Sequence, residues 1–364
     1  MNLWTISGIN IALALGLGGA VASIENTASP AKPVVRASSL LDFLVQDVCV
    51  DAADRAVAGD PANCRHHRNL KLGEKLPYIV TDFDHAARIS LGSMSSIPVR
   101  ATDGTTMVLV TKSLQGRYTP GYSFNYSPAR DAFDLIDIRH SKYASIVRTF
   151  DGSCFDQLFS RNGNARGMAN RAGGWILFPL APAPSRWPKQ ASVPIKTWRV
   201  QLSAAGPKCA SNQGSGITFW TAPTPYTFET GKILTAVRSD HFAAVDLAQP
   251  ENSFERFYFT REYGMTRWES WWTVAHCKKM LGAGSVRCGQ TRANSVRTRC
   301  SVLNMPSNPI SGLEQWGGQS WVRMDCRDST RYIALARPQL PLSREIARGE
   351  GLIDIDYAAT VNPR

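Results

Sequence analysis

Phe254-Glu255-Arg256-Phe257-Tyr258-Phe259-Thr260-Arg261-Glu262-Tyr263-Gly264-Met265-Thr266-Arg267-Trp268-Glu269-Ser270-Trp271-Trp272 carries the most ordered hydrophobic pattern in the chain. Gly264 separates two runs rich in aromatic residues, as in a hairpin with a short loop. If Thr260 pairs with Met265, then Tyr258 faces Arg267, Arg256 faces Glu269 and Phe254 faces Trp271. Side chains alternate along a strand, so this register sorts the residues onto two faces. Phe257, Phe259, Trp268 and Trp272, with Glu255 near the end, form an apolar face fit for a core. Arg256, Tyr258, Arg267, Glu269 and Trp271 share the opposite face. Two arginines, a carboxylate, a phenol and an indole are what a sugar-binding groove needs: rings to stack, and charged groups to reach hydroxyls or carboxylates. The same set also suits a solvent-facing sheet with cross-strand ion pairs, Arg256–Glu269 among them. A register slip of one residue would exchange every partner.

Outward from this hairpin the texture stays that of strands. Met107–Thr111, Trp175–Leu180, Trp198–Leu202, Ile217–Thr221 and Ile233–Arg238 are short and β-branched or aromatic, and are set apart by Gly, Pro, Asn and Ser clusters. Helices are expected only at Leu40–Val48 and Phe155–Arg161. This pattern predicts a mainly β protein, an antiparallel β-sandwich or jelly roll with a few short helices. Residues 39–364 read as a single large β domain. The five prolines of 179–194 mark an extended surface loop within it. No internal repeat of fixed period is visible.

The N-terminus reads as an address. Residues 9–22 are uncharged, with Asn10 the one polar residue among them, a length suited to a signal-peptide core and short for a membrane span. Ala20-Val21-Ala22 predicts cleavage before Ser23, making 1–22 a signal peptide and 23–38 a flexible lead-in. The leader has no Lys or Arg, so an uncleaved anchor over Trp4–Val21 stays open. Without the leader, nothing marks the mature chain as an integral membrane protein, and its expected location is secreted or periplasmic. Eight cysteines fit that location: Cys49, Cys64, Cys154, Cys209, Cys277, Cys288, Cys300 and Cys326 read as four disulfides. Of about 105 connectivities, pairing in sequence order closes modest loops and is the expectation.

The formal charge of +12 favours anionic partners. The basic residues are dispersed, apart from a denser stretch at 287–299. No P-loop, GxGxxG, GxSxG, CxxC or CxxCH is present, which argues against nucleotide, α/β-hydrolase, redox and haem chemistry. No cofactor and no nucleic-acid partner is expected. Cys64-Arg65-His66-His67 gathers possible zinc ligands but lacks the rest of a metal motif, and no metal is assigned. Asp240-His241 follows a strand-like run, and His241 there could act as acid, base or ligand, or could be an ordinary turn histidine. Asp82-Phe83-Asp84-His85 is a similar cluster, more often turn chemistry.

The pattern Glu255-Arg256-Phe257-Tyr258-Phe259 … Gly264 … Arg267-Trp268-Glu269 resembles the paired inner strands of secreted jelly-roll, concanavalin-like carbohydrate-active proteins. The resemblance is confined to this hairpin and implies architecture only. The ExDxxE strand of laminarinase-like hydrolases and the QIH strand of alginate lyases are absent, so no catalytic residue carries over. The expectation is a protein that binds a polysaccharide and cleaves it. A glycoside hydrolase stands first, with Glu269 as its foremost carboxylate. A lyase of acidic polysaccharides would instead use Arg256 or Arg267 to neutralise a uronate, and Tyr258 or His241 to move the proton. In both, Trp271 would be the stacking platform. The third expectation is a non-catalytic carbohydrate-binding envelope protein.

Overall fold

The computed structural model describes residues 40–84, 89–100, 106–114, 130–138, 143–151, 154–160, 175–180, 194–201, 215–242, 246–285, 288 and 313–339. All of them belong to one compact unit, Ala37–Arg364. The leader, the lead-in, His85 and the centre of the proline-rich loop lie outside the described residues.

After a 3-10 turn at Leu40–Phe43 come β1 (Asp47–Val50), β2 (Ala56–Val57) and β3 (His67–Asn69), which form a small antiparallel sheet in the order β2-β1-β3. The remaining strands are β4 (Leu76–Asp84), β5 (Ile89–Arg100), β6 (Thr106–Leu114), β7 (Arg130–Asp137), β8 (Tyr143–Asp151), β9 (Cys154–Ser160), β10 (Trp175–Pro179), β11 (Pro194–Gln201), β12 (Ser215–Trp220), β13 (Thr224–Thr227), β14 (Ile233–Phe242), β15 (Ser253–Thr260), β16 (Gly264–Thr273), β17 (Leu313–Trp316), β18 (Gln319–Asp328) and β19 (Arg331–Gln339). They make one 16-stranded antiparallel sheet. Its order follows the chain from β4 to β9, then through β11, β12, β14, β15, β16 and β18 to β17, while β19 returns to pair with β4. The fold is mainly antiparallel β, as the sequence pattern implies, with strands joined as a meander.

The sheet packs on itself like a sandwich. Phe178 of β10 meets Phe259 of β15 edge-on, ring centroids 5.2 Å apart. The Met265 amide of β16 donates to Ser96 Oγ of β5 at 3.0 Å. Met107, Val108, Leu109 and Val110 are all buried, so β6 has covered surfaces on both sides. Such a strand loses alternation and reads as a continuous apolar run.

Both expected helices are corrected. Leu40–Val48 is a single 3-10 turn followed by β1, and 155–160 lies in β9. β9 is paired on both edges, with β8 and with β11, and this ladder overrides a local helical spacing. Among the described residues the one α-helix is α1 (Val274–Leu281). Thr273 caps it by accepting the His276 amide at 3.1 Å, and Gly282 with φ 90° ends it. No helix among the described residues is long and apolar enough to cross a membrane.

Two disulfides follow the sequence-order expectation. Cys49–Cys64 closes the loop between β1 and β3, and Cys277–Cys288 pins α1. Cys326 is also disulfide-bonded. With Cys64 oxidised, Cys64-Arg65-His66-His67 has no thiolate to offer zinc.

Candidate functional site

The decisive hairpin forms with nearly the expected register. Phe254 pairs with Trp271, Arg256 with Glu269 and Tyr258 with Arg267. The tip differs: Thr260 pairs with Gly264 and Phe259 with Met265. A bulge at Thr266 absorbs the extra residue, and the Thr260 and Thr266 hydroxyls bond each other at 2.8 Å. Gly264 is required at this tip. Its φ is +66°, and a Cβ there would lie 2.3 Å from the Ser96 Cβ.

The register brings five of the six expected catalytic and substrate-binding residues together. Arg256, Tyr258, Arg267, Glu269 and Trp271 share one face and are each exposed by 3% or less. They therefore form an interior layer, neither the wall of an open groove nor a solvent-facing sheet. His241 does not join them. It sits within β14, fully buried, on the other face, with its ring 4.8 Å from that of Phe257 and its Nε2 2.8 Å from Ser239 Oγ. Burial lowers its pKa to about 3, so the imidazole is neutral near pH 7 and unsuited to proton transfer there.

Asp240, on the charged face of β14, lies opposite Arg256. Its carboxylate takes the Arg256 guanidinium through Nε at 2.7 Å and Nη2 at 3.2 Å. On the far side of Arg256, Glu269 Oε2 lies 3.9 Å from Nη1. Glu269 is itself held by Arg267 Nε at 2.7 Å and by the Trp271 indole at 2.9 Å, with Arg323 Nη1 at 3.5 Å. Arg267 continues to Asp328 at 2.9 Å and to Glu229 at 3.5 Å. Three buried guanidiniums and four carboxylates thus alternate through the interior, and the half-buried Arg238, 3.3 Å from Asp240, supplies the fourth cation. Arg256 also lies over the Phe254 and Trp271 rings, at 5.1 and 5.4 Å, and Arg267 over Tyr226 at 5.7 Å.

Electrostatics follow from this packing. Burial by itself pushes the Glu269 carboxyl up, but Arg267, Arg323, Arg256 and the Trp271 indole outweigh it and hold the pKa down at about 2. Burial raises the Tyr258 phenol well above its ordinary value. At neutral pH the layer contains an ionised Glu269 and a neutral Tyr258. A stranded charge here would cost several kcal/mol, so matched pairing is the condition for its existence.

Sequence inspection missed Arg323, Asp328, Glu229 and Tyr226. Trp321-Val-Arg-Met-Asp-Cys-Arg-Asp328 holds the alternating signal, but its phase breaks. Arg323 pairs with Trp271 and Cys326 with Glu269, because β16 and β18 slip register between Ser270 and Trp271. Glu229 comes from the turn after β13, which no strand period can place.

The apolar face is buried less evenly than expected. Phe257 and Phe259 enter the main core, and Trp272 packs with Cys277, Cys288, Val322 and Met324. Trp268 is only half-buried, its indole donating to Glu255 at 3.1 Å. Of the second cluster, Asp82, Phe83 and Asp84 lie within β4.

No protein-family model, curated protein or solved structure matches this chain.

Proposed function

We propose that this is an exported, non-catalytic binding protein for an acidic polysaccharide of the cell envelope or its surroundings. One observation carries the proposal: Glu269, the residue best placed by sequence to do chemistry, is consumed in a buried, charge-matched network. A glycoside hydrolase needs two carboxylates facing each other across a space that admits sugar and, for inversion, water. Asp240 and Glu269 are instead bridged by Arg256. A lyase needs a guanidinium open to a uronate, yet Arg256 and Arg267 already face carboxylates.

Surface charge supports the choice of ligand. The chain carries +12, and Arg65, Lys75 and Lys278 are exposed, while the exposed Arg55, Lys71 and Lys279 face Asp51, Asp54 and Glu251. The leader sequence and the disulfides support export.

The test is electrophoresis of the mature protein through gels cast with acidic or neutral polysaccharides, at low and high salt. Reducing ends and unsaturated-uronate absorbance are followed in parallel solutions. Retardation by the acidic polymers alone, relieved by salt and without products, is the expected outcome. New reducing ends would restore the hydrolase, and an unsaturated product the lyase. Equal mobility in every gel would remove the polysaccharide altogether.

A further inference from the structure

The small β2-β1-β3 sheet is fastened to the β15–β16 turn at two places. At one, Lys232 Nζ donates to Asp60 at 2.7 Å, to the Thr330 carbonyl at 2.9 Å and to the Tyr263 hydroxyl. All three ammonium hydrogens are thereby used. At the other, Asp47 of β1 is the joint, its carboxylate held within the small sheet by His67 Nδ1 of β3 at 2.6 Å. The Asp47 amide, in turn, donates to the carbonyls of Arg261 and Glu262 at 3.2 and 3.1 Å.

We propose that His67, Asp47 and Glu262 form a proton-operated clasp that fastens the small sheet to the β15–β16 turn when His67 is charged and loosens it when His67 is neutral.

The surrounding groups give the clasp its direction. The second Asp47 oxygen accepts from Asn69 Nδ2 at 2.8 Å, so it has one side left for His67. Tyr78 of β4 donates to the Asp47 and Glu262 carbonyls and brings no charge. Arg261 is the opposing cation, but it is turned toward Asp42, 3.4 Å away, with nearly half of its side chain exposed. Arg68, the neighbour of His67 on β3, is engaged with Asp54 and Glu74. Glu262 has a buried Oε2 with no hydrogen-bond partner among the described residues. With His67 neutral, Asp47 and Glu262 oppose each other at the junction with little compensation.

The titration of both groups agrees in sign. The hydrogen bond to Asp47 raises the His67 pKa against the effect of burial, while burial raises that of Glu262. A histidine raised above its unfolded value of about 6.5 contributes stability that is fully present below that pH. That contribution is lost as pH rises through the folded value. A raised carboxyl likewise makes the folded state bind the extra proton. Both contributions are lost as pH rises, that of Glu262 starting from about 4.5 and that of His67 from about 6.5.

The experiment uses the full mature chain. Imidazole resonances of His67 are titrated by NMR, and Asp47 amide exchange, corrected for intrinsic rate, is followed relative to amides of β6. The expected His67 midpoint lies above about 6.5, and Asp47 protection falls about tenfold as pH rises one unit beyond that midpoint. His67→Gln should abolish this dependence, and Glu262→Gln should shrink it. A midpoint at or below about 6.5 overturns the proposal. So does Asp47 protection that ignores pH, or that falls equally in either variant. Should His67→Gln fail to fold, the wild-type titration and Glu262→Gln decide.

Discussion

The two faces of the β15–β16 hairpin reach burial by opposite routes. Phe257 and Phe259 enter a core where each carbon removed from water is favourable in its own right. Arg256, Arg267 and Glu269, a strand's thickness away, are just as buried, yet each depends on the others to be there. Aromatic rings border this charged layer: Phe242, Phe254, Trp271 and Trp321 cluster together, with Phe254 and Trp271 stacked 5.7 Å apart. The apolar face tolerates independent changes of shape, whereas the charged face must keep its sum of charges. Polarity at a strand position therefore does not forecast exposure when the neighbouring strands supply the counter-charges.

The largest expected effect follows from that dependence. Arg267→Met leaves Glu269, Asp328 and Glu229 without their shared cation and should lower stability by about 3–5 kcal/mol. Urea unfolding measures it. A loss below about 1 kcal/mol would show that solvent reaches the layer and screens it, as at exposed pairs.

Trp268→Ala sharpens the other side of the comparison. Since Trp268 is half-buried and bonded to Glu255, truncation should cost about 1–2 kcal/mol, less than for a full core aromatic. Thermal and urea unfolding should agree. A loss of about 4 kcal/mol or more would place Trp268 in the core after all.

The smallest effect belongs to the exposed pair Arg55–Asp51, 2.8 Å apart. Arg55→Ala should leave the urea midpoint close to that of wild type, and closer still in high salt. A larger change would mean that pairing energy here does not depend on burial.

The hairpin was legible because a glycine, an aromatic period of two and complementary charges all agreed on one register. Three of its cross-strand pairs follow from that reading. The bulge at Thr266 was not legible, since nothing in Met265-Thr266-Arg267 distinguishes an unpaired threonine from a paired one. His241 was misplaced because Asp240-His241 looks like turn chemistry. Only with Arg256 opposite does Asp240 become a residue that can sit inside a strand. Phe155–Arg161 shows the same limit, its local spacing being outvoted by ladders to β8 and β11. What escaped the sequence was long-range pairing, above all the arrival of β18 with Arg323 and Asp328.

Glu269→Gln probes the buried network with the least disturbance, because it removes one charge and almost no volume. If Glu269 serves as the counter-ion of a buried network, urea unfolding near pH 7 should show a loss of about 3 kcal/mol or more. Because its folded pKa is depressed to about 2, its contribution is present above the unfolded value of about 4.5 and is lost as pH falls toward 2. The gap between variant and wild type should therefore close in acid. A variant as stable as wild type at pH 7, with a gap that does not change toward pH 2, would contradict the account.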